Sequence, residues 1–557
     1  MLILSAISLI NFCPGQSVGG GYPTIYKWTG NGTAWEQFGA AVAGNGDVNA
    51  DGWPDLVVGS NGNLNGNDYF GEVRVFSGLD GSLLHHFIGT QYLSQLGYAV
   101  AIAGDVNLDG YADILVGAPS GPFSGSEPGF AKLYSGFDGT TLYSWVGPNP
   151  QSRFGQSVAG AGDIDGDGYD DFIIGAPFAS PNALARAGSA FVYSGATGQL
   201  ITQIDGIEEN QYCGQSVAVS GDLNQDGNAD FLVGSPDFTG STFVNAGALH
   251  AYSLSGTAAS LIWQYTGDRT SDHLGRTLAG GYDLNKDGIP DFVTGAPNNI
   301  AGGYGRVVAI SGADASTLFV WPGEQFEFLG LAVALAGDMD GDSYPDVAIG
   351  QDHFGEGRTG CVYIYSGKDG SLLRLREGVD SPGQFGQAVA SAGDINGDGL
   401  ADIIVGAPET ALPQVDKTGT AYVIGFNPYL KSNQQQLSAS QGGTIEFTLN
   451  FTHQERNRDY KILASSSGTG PTVFGIEIPL TSDHLTQRTW NGGFRGAVES
   501  SFHGTLDSNG SANAMLKLNA NSWPDLVGRT FHFAAVVLNS GSIPILSSVA
   551  VPISILD

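Results

Sequence analysis

The hydrophobic positions of this chain fall into short runs, and the runs recur. One kind is apolar throughout, as in ILVGAP at 114–119, IIGAP at 173–177 and IIVGAP at 403–408, and follows nine residues rich in Asp and Asn. A second run, β-branched and aromatic, ends in Tyr-Ser-Gly or a relative, as in LYSG at 133–136, VYSG at 192–195 and IYSG at 364–367. A last short run leads to a pair ending in Gly, and a small-residue run such as QSVAGAG then precedes the next acidic stretch. These pairs are Phe38-Gly39, Leu96-Gly97, Phe154-Gly155, Cys213-Gly214, Leu274-Gly275, Leu329-Gly330 and Phe385-Gly386. Runs of this length, bounded by Gly, Pro and Asx turns, predict four short strands per unit. The run after the acidic stretch has no polar alternation, so it is expected to be buried on both faces as an inner strand.

The unit occurs seven times. Its acidic stretches begin at Asp47, Asp105, Asp163, Asp222, Asp283, Asp338 and Asp394, with spacings of 58, 58, 59, 61, 55 and 56 residues. Four-stranded units repeated at a fixed period form either a ring of blades, a β-propeller, or an open solenoid that needs polar caps. The chain ends choose between them. The seventh unit stops at its third strand, TAYVIGF at 420–426, while TIYKWTG at 24–30 is an orphan strand before the first unit. Fourth strands carry a large residue two before a closing Gly, namely Phe87, Trp145, Ile204, Tyr265, Trp321 and Arg376, and Trp28 stands two before Gly30 in the orphan. The expectation is an all-β fold, a seven-bladed propeller closed by the N-terminal strand, because closure leaves only short protected edges.

The acidic stretches change the picture from fold to chemistry. The 557 residues carry 22 Lys+Arg against 55 Asp+Glu, a net charge of −33, which disfavours nucleic acid and anionic lipid as partners and favours cations. Of the 55 acidic residues, 23 occupy positions one, three, five and nine of these loops. Crowding like charges in short loops is unfavourable unless a cation neutralises them. Carboxylate or amide side chains at positions one, three, five and nine, a Gly at six and an inward carbonyl at seven suit the six to eight oxygen ligands of calcium better than the strict octahedron of magnesium. The expected ligands are Asp47, Asn49, Asp51 and Asp55; Asp105, Asn107, Asp109 and Asp113; Asp163, Asp165, Asp167 and Asp171; Asp222, Asn224, Asp226 and Asp230; Asp283, Asn285, Asp287 and Asp291; Asp338, Asp340, Asp342 and Asp346; Asp394, Asn396, Asp398 and Asp402. The carbonyls of Trp53, Tyr111, Tyr169, Asn228, Ile289, Tyr344 and Leu400 complete the sets, with the ninth-position Asp closing each bidentately. An EF-hand is excluded, since it needs an acidic twelfth residue and flanking helices, and position twelve is Val58 in the first copy and Val405 in the last. Ser343 replaces Gly at position six of the sixth loop, which is expected to be the weakest or most distorted site. Up to seven calcium ions would add 14 positive charges and take −33 to −19.

The Phe-Gly pairs, the Gly-Ala-Pro runs and the acidic nonapeptide together resemble the FG-GAP repeats of the integrin α-subunit propeller and its bacterial secreted relatives, over about residues 24–427. That resemblance implies a seven-bladed propeller with calcium in the hairpin between the first two strands of a blade. No motif matches the integrin ligand-binding residues.

The remaining stretches say less. Residues 1–20, including the apolar run Leu2–Phe12, have the length of a secretory leader but no basic residues before the run. The propeller is expected over 21–427, a polar linker over 428–440 and a small β-sandwich over 441–557. Its expected strands are TIEFTLNF at 444–451, DYKILAS at 459–465, FGIEIPL at 474–480, ANAMLKL at 512–518, TFHFAAVVL at 530–538 and SSVAVPISIL at 547–556, with a hairpin turn at Asn509-Gly510. Cys13, Cys213 and Cys361 are not expected to form a structural disulfide. Gly15-Gln16-Ser17-Val18-Gly19 has nucleophile-elbow spacing without the strand-to-helix context that motif requires. His85 and His86, adjacent on a strand, should point to opposite faces. Trp28, Trp145, Trp263 and Trp321 are expected to pack against neighbouring blades rather than form a glycan platform. No catalytic residues and no further cofactor are expected. The functional expectation is a secreted or cell-surface calcium-binding module, monomeric and without a membrane span, that binds an extracellular protein or polysaccharide. The alternatives are a hydrolase or lyase using the propeller face, or a structural component of the cell envelope.

Overall fold

The computed structural model describes residues 24–556 apart from scattered stretches, the longest being 63–68, 121–126, 298–303, 352–358, 490–497 and 520–526. The expected leader and the Gly15–Gly19 motif lie outside the described residues. The chain divides into two compact units, Thr24–Asn427 and Pro428–Asp557.

The first unit is the all-β propeller expected from the repeats, built of seven four-stranded antiparallel sheets. Blade 3 shows the pattern, with strands Ser157–Gly162, Asp171–Ala176, Ser189–Tyr193 and Leu200–Asp205 in spatial order. Its second strand, DFIIGA, is buried at every residue, as an apolar run without alternation requires. The fourth strand, LITQID, is mostly half-buried, with Leu200 and Gln203 exposed. Blade 7 takes Ala388–Gly393, Asp402–Ala407 and Thr420–Ile424 from the C-terminal end of the repeats and Thr24–Thr29 from the N-terminal end. In that closing pair Tyr26 faces Val423 and Trp28 faces Ala421.

The motif glycines set the spacing between blades. A Cβ on the Gly of each Gly-Ala-Pro run would lie within 2.1 Å of the carbonyl oxygen of the Phe-Gly glycine in the next blade, from Gly59 against Gly97 round to Gly406 against Gly39. Backbone meets backbone at all seven seams, so a side chain at either residue would wedge two blades apart. The apolar residues of facing blades then fill the rest of each seam, as Phe38, Leu56 and Val58 do against Ile404, Ala421 and Val423.

Fourth-strand aromatics pack across the seams. The indole N–H of Trp28, Trp145, Trp263 and Trp321 donates to the carbonyl of Gly81, Gly198, Gly312 and Gly370 at 3.2, 2.9, 3.2 and 2.9 Å. Trp28 also stacks on Phe76 with centroids 4.4 Å apart. The ring of His85 meets the Gly136 carbonyl of the next blade at 2.6 Å, while His86 turns to Glu72 at 2.8 Å. Cys213 and Cys361 are both buried, and no disulfide joins them.

Blade 4 buries one histidine. His250 packs edge-on against Phe238 and beside Tyr252, and burial holds its imidazole down to about 4. A folded-state value below the ordinary 6.5 means that protonation favours the unfolded chain, so this residue costs stability as pH falls from about 6.5 to 4. Blade 3 carries Phe191 at the same register. His250→Phe is therefore expected to gain about 2–3 kcal/mol over the parent at pH 4 and much less at pH 7.5, read as the difference in urea midpoints at the two pH values.

The second unit contains two main sheets. One orders Leu430–Ser432, Gly443–Asn450, Ser511–Leu518 and Val498–Ser500; the other holds Gln436–Ser438, Val551–Leu556, Thr530–Leu538, Asp459–Ser465 and His503–Thr505, with Pro544–Ser547 beside Thr530–Leu538. Phe447, Leu449, Tyr460, Ile462 and Phe533, drawn from both sheets, share one buried core. Residues 428–440, expected as a linker, contribute two of these strands. The strand expected at 474–480 is instead a short pairing of Thr472–Val473 with Glu477–Ile478. The turn expected at Asn509-Gly510 lies outside the described residues; its flanks close through Asp507 N–H to the Ser511 carbonyl at 2.9 Å, yet His503–Thr505 and Ser511–Leu518 enter different sheets.

Candidate metal centres

Each acidic nonapeptide links the first and second strands of a blade, so all seven lie at one end of the propeller. The connections between second and third strands, and between one blade and the next, lie at the other end.

Within a loop, the side chains first organise their own backbone. In blade 3, Asp163 accepts N–H bonds from Gly166, Asp167 and Gly168 at 2.7, 3.0 and 2.9 Å. Asp165 accepts from Asp167 at 3.2 Å, and Asp167 accepts from Tyr169 at 2.9 Å. The bond from position six to the first Asp recurs in all seven loops at 2.7–2.9 Å. These Asx turns wind the chain so that carboxylates at alternate positions face a common centre.

Position six has positive φ throughout, from 72° at Ser343 to 96° at Gly227. Ser343 keeps its bond to Asp338 at 2.7 Å, so the position-six turn is retained at the expense of backbone strain. A Cβ at the six corresponding glycines would meet nothing within 4 Å, leaving the backbone as the whole cost. Ser343→Gly is expected to stabilise the protein by about 1 kcal/mol, seen as a raised thermal midpoint with metal present or absent. Position four also has positive φ in every copy, at Ala50, Leu108, Gly166, Gln225, Lys286, Gly341 and Gly397. The glycines at that position in three copies were the sequence signal for it.

The ninth-position Asp is buried and takes on a second task. Its Oδ2 accepts the N–H of position two in every loop, from Val48 to Ile395, at 2.7–3.0 Å. In five blades its Oδ1 accepts from the glycine of the turn between third and fourth strands, namely Gly78, Gly136, Gly195, Gly312 and Gly367. This residue therefore clamps the acidic loop to a turn 21–24 residues further on.

Burial raises the carboxyl groups at this position more than those bonds lower them. Asp55, Asp230 and Asp291 are pushed up to about 6, and Asp113, Asp171 and Asp346 to about 7. Neighbouring loop carboxylates push in the same direction. Asp402 is raised well above the ordinary range for the same reasons. What stays unrelieved is the crowding of negative charge, which a cation in the loop would offset.

In two loops the carboxylates converge without any rearrangement. Ligand atoms of Asp163, Asp165 and Asp171 lie within 4.8 Å of one another, as do those of Asp338, Asp340 and Asp346. These are the copies with Asp at position three, and both have Gly at position four. The acidic clusters can hold a metal. Neighbouring loops also touch: the position-eight N–H of Ala112, Ala229 and Ala401 donates to the carbonyl of Asp47, Asp163 and Asp338 in the preceding blade at 2.8–2.9 Å.

The class follows from this combination of Phe-Gly and Gly-Ala-Pro seams with an acidic loop in the first hairpin of each blade: the propeller is an FG-GAP, integrin α-like propeller. The FG-GAP repeat model matches residues 96–134, 154–193, 214–252, 274–310, 329–365 and 385–424, which are blades 2–7. Over 213 residues the chain is 32% identical to integrin alpha-5 of Xenopus laevis, covering 35% of this chain and 20% of that protein. It is 32% identical to integrin alpha-V of Gallus gallus over 214 residues, 36% of this chain and 20% of the relative. It is 32% identical to integrin alpha-E of Homo sapiens over 278 residues, 43% and 23% respectively. The chain thus spans about a fifth of the length of the curated relatives it matches. Among the described residues, no helix is long and apolar enough to cross a membrane.

Proposed function

We propose that this chain is a secreted or cell-surface, non-catalytic binding or adhesion module whose propeller is stabilised by calcium and whose partner is an extracellular protein or polysaccharide. The observation that carries the calcium reading is the sevenfold acidic loop with its buried ninth-position Asp raised by desolvation. The 28 side chains and seven carbonyls named from the sequence are the proposed ligands, with the loops of blades 3 and 6 closest to a formed carboxylate set. Metal supplies charge neutralisation and cross-linking of each loop. The residues around it hold two strands and a turn in register, which makes the blade rigid. Loops of this type on extracellular modules bind at Kd of roughly 10⁻⁴–10⁻³ M, so they fill outside cells rather than in the cytosol.

A rigid disc whose opposite end carries blade-specific connections suits recognition of a partner. The similarity to integrin alpha chains supports an adhesive role for that end. The test is binding to protein and glycan arrays in calcium and in EDTA. Retained ligands that are lost in EDTA support the reading; turnover of an arrayed polysaccharide or phospholipid would replace it with an enzymatic one.

A further inference from the structure

At the end of the propeller opposite the acidic loops, the seven repeats no longer agree. The residue before the Phe-Gly pair is held alike in six blades, with φ of 53–57° at Gln37, Gln95, Arg153, Tyr212, His273 and Gln384. Its N–H reaches the preceding blade's connection in several copies, as Gln37 to the Lys417 carbonyl at 3.1 Å and Tyr212 to that of Arg186 at 3.3 Å. Three blades place Gln there, so the shared geometry does not demand the residues found in blades 3–5.

Blade 3 departs at this position and carries two further residues of note beside it. Arg153 precedes its Phe-Gly pair, and Phe178 and Arg186 lie on the connection between its second and third strands. The guanidinium carbon of Arg153 lies 4.3 Å from the centroid of the Phe178 ring, and that of Arg186 lies 5.2 Å from it. The Tyr212 ring is 5.2 Å from the Phe178 ring. The backbone is fixed from three sides: Phe178 N–H donates to the Ser152 carbonyl at 3.1 Å, Arg186 N–H to Ser180 Oγ at 3.2 Å, and Tyr212 N–H to the Arg186 carbonyl.

What the cluster lacks is an acid. Arg74 is paired with Glu36 and Glu72, Arg306 with Asp268 and Asp272, and Lys417 with Glu409. Arg153 and Arg186 form no ion pair with any described carboxylate, in a chain with 55 acidic residues. Arg153 is half-buried and Arg186 exposed, so two guanidinium forks meet solvent beside an aromatic wall.

We propose that Arg153 and Arg186, held against Phe178, form a recognition site for a carboxylate side chain presented on an exposed segment of a partner protein. A guanidinium fork matches a carboxylate bidentately, and stacking on an aromatic ring fixes the fork before binding. The size of the site sets the occupant. Two positive charges on a molecule of net charge −33 attract one local anion. A polyanionic glycan would meet repulsion from every further acidic group lying within the screening length of about 8 Å. An acidic residue on an otherwise neutral or basic protein surface pays no such penalty. This inference deepens the reading of the chain as a binding module and rests on it.

The test is selection of a displayed dodecapeptide library on the calcium-loaded full chain, followed by affinity measurement on the Arg153→Gln/Arg186→Gln variant. Gln at position 153 copies Gln37, Gln95 and Gln384, and an unchanged thermal midpoint shows that the fold is kept. Recovered peptides should be enriched in Asp and Glu, lose at least tenfold in affinity on the variant, and lose affinity when their acid is changed to the amide. Peptides without acidic enrichment, or equal binding to parent and variant, would overturn the site. A heparin hexasaccharide that binds the parent more tightly than the peptides, with the same arginine dependence, would overturn the protein partner in favour of an acidic glycan. Calcium titration of the same variant by calorimetry judges the metal reading separately.

Discussion

Calcium at 10 mM raises the thermal midpoint of EDTA-treated protein, and this is the largest effect expected. Metal that binds only the folded state stabilises it by linkage. At roughly 10⁻⁴–10⁻³ M affinity, each filled loop contributes about 1.4–2.7 kcal/mol at that concentration. Several loops filled together would shift the midpoint by well over ten degrees, because each site closes a different blade. The effect has a pH dependence. The ninth-position carboxyls are raised to about 6 or 7, so the metal-free folded protein holds protons that the unfolded chain has released. Stability of the metal-free form therefore falls as pH rises from about 4 to 7, and calcium displaces those protons. The calcium-induced shift should be larger at pH 7.5 than at pH 5.5. A midpoint indifferent to EDTA at both values, with no heat on titration, would remove the metal from the account.

Asp171→Ala gives the second largest effect, and it differs in kind from Asp163→Ala. Asp171 is buried and accepts from Ile164, Asp165 and Gly195 at 2.9, 3.3 and 2.9 Å. Removing it leaves buried N–H groups of two separate segments without partners, at a cost of about 2–4 kcal/mol, partly offset because the carboxyl is itself costly to bury. That loss should persist in EDTA. Asp163 is half-buried and its N–H donors Gly166, Asp167 and Gly168 are exposed to water, which can replace the lost bonds, so Asp163→Ala should mainly reduce the calcium gain of one blade while the chain still folds. Midpoints of both variants with and without calcium separate the two roles. Equal losses for both variants in EDTA would refute the division.

The ninth position shows where reading the sequence stopped short. Its Asp was legible as a recurring acid and was assigned to a metal. Its bond to the turn at Gly195 was not legible, because that contact depends on how two hairpins of one sheet stack at their ends. Position four was half legible: glycine occupies it in three copies, but Leu108 and Lys286 hide the same left-handed backbone. The polar stretch 428–440 hides its strands for a similar reason. A three-residue edge strand such as Leu430–Ser432 has too little apolar pattern to announce itself and exists through its pairing with Gly443–Asn450.

The sequence by itself determined the repeat count, the four-strand grammar, the sharing of blade 7 between both ends of the repeats, and the seven acidic loops. All of these are local patterns, and repetition made each one readable seven times. The tertiary structure decided what the motif residues do to one another. The glycines of Phe-Gly and Gly-Ala-Pro are spacers because backbones of adjacent blades touch there. Arg153, Phe178 and Arg186 are neighbours because two connections converge at one end of a blade. The first follows from the winding of the blades around a common axis and the second from the packing of two connections, and both bring together residues that no local pattern relates.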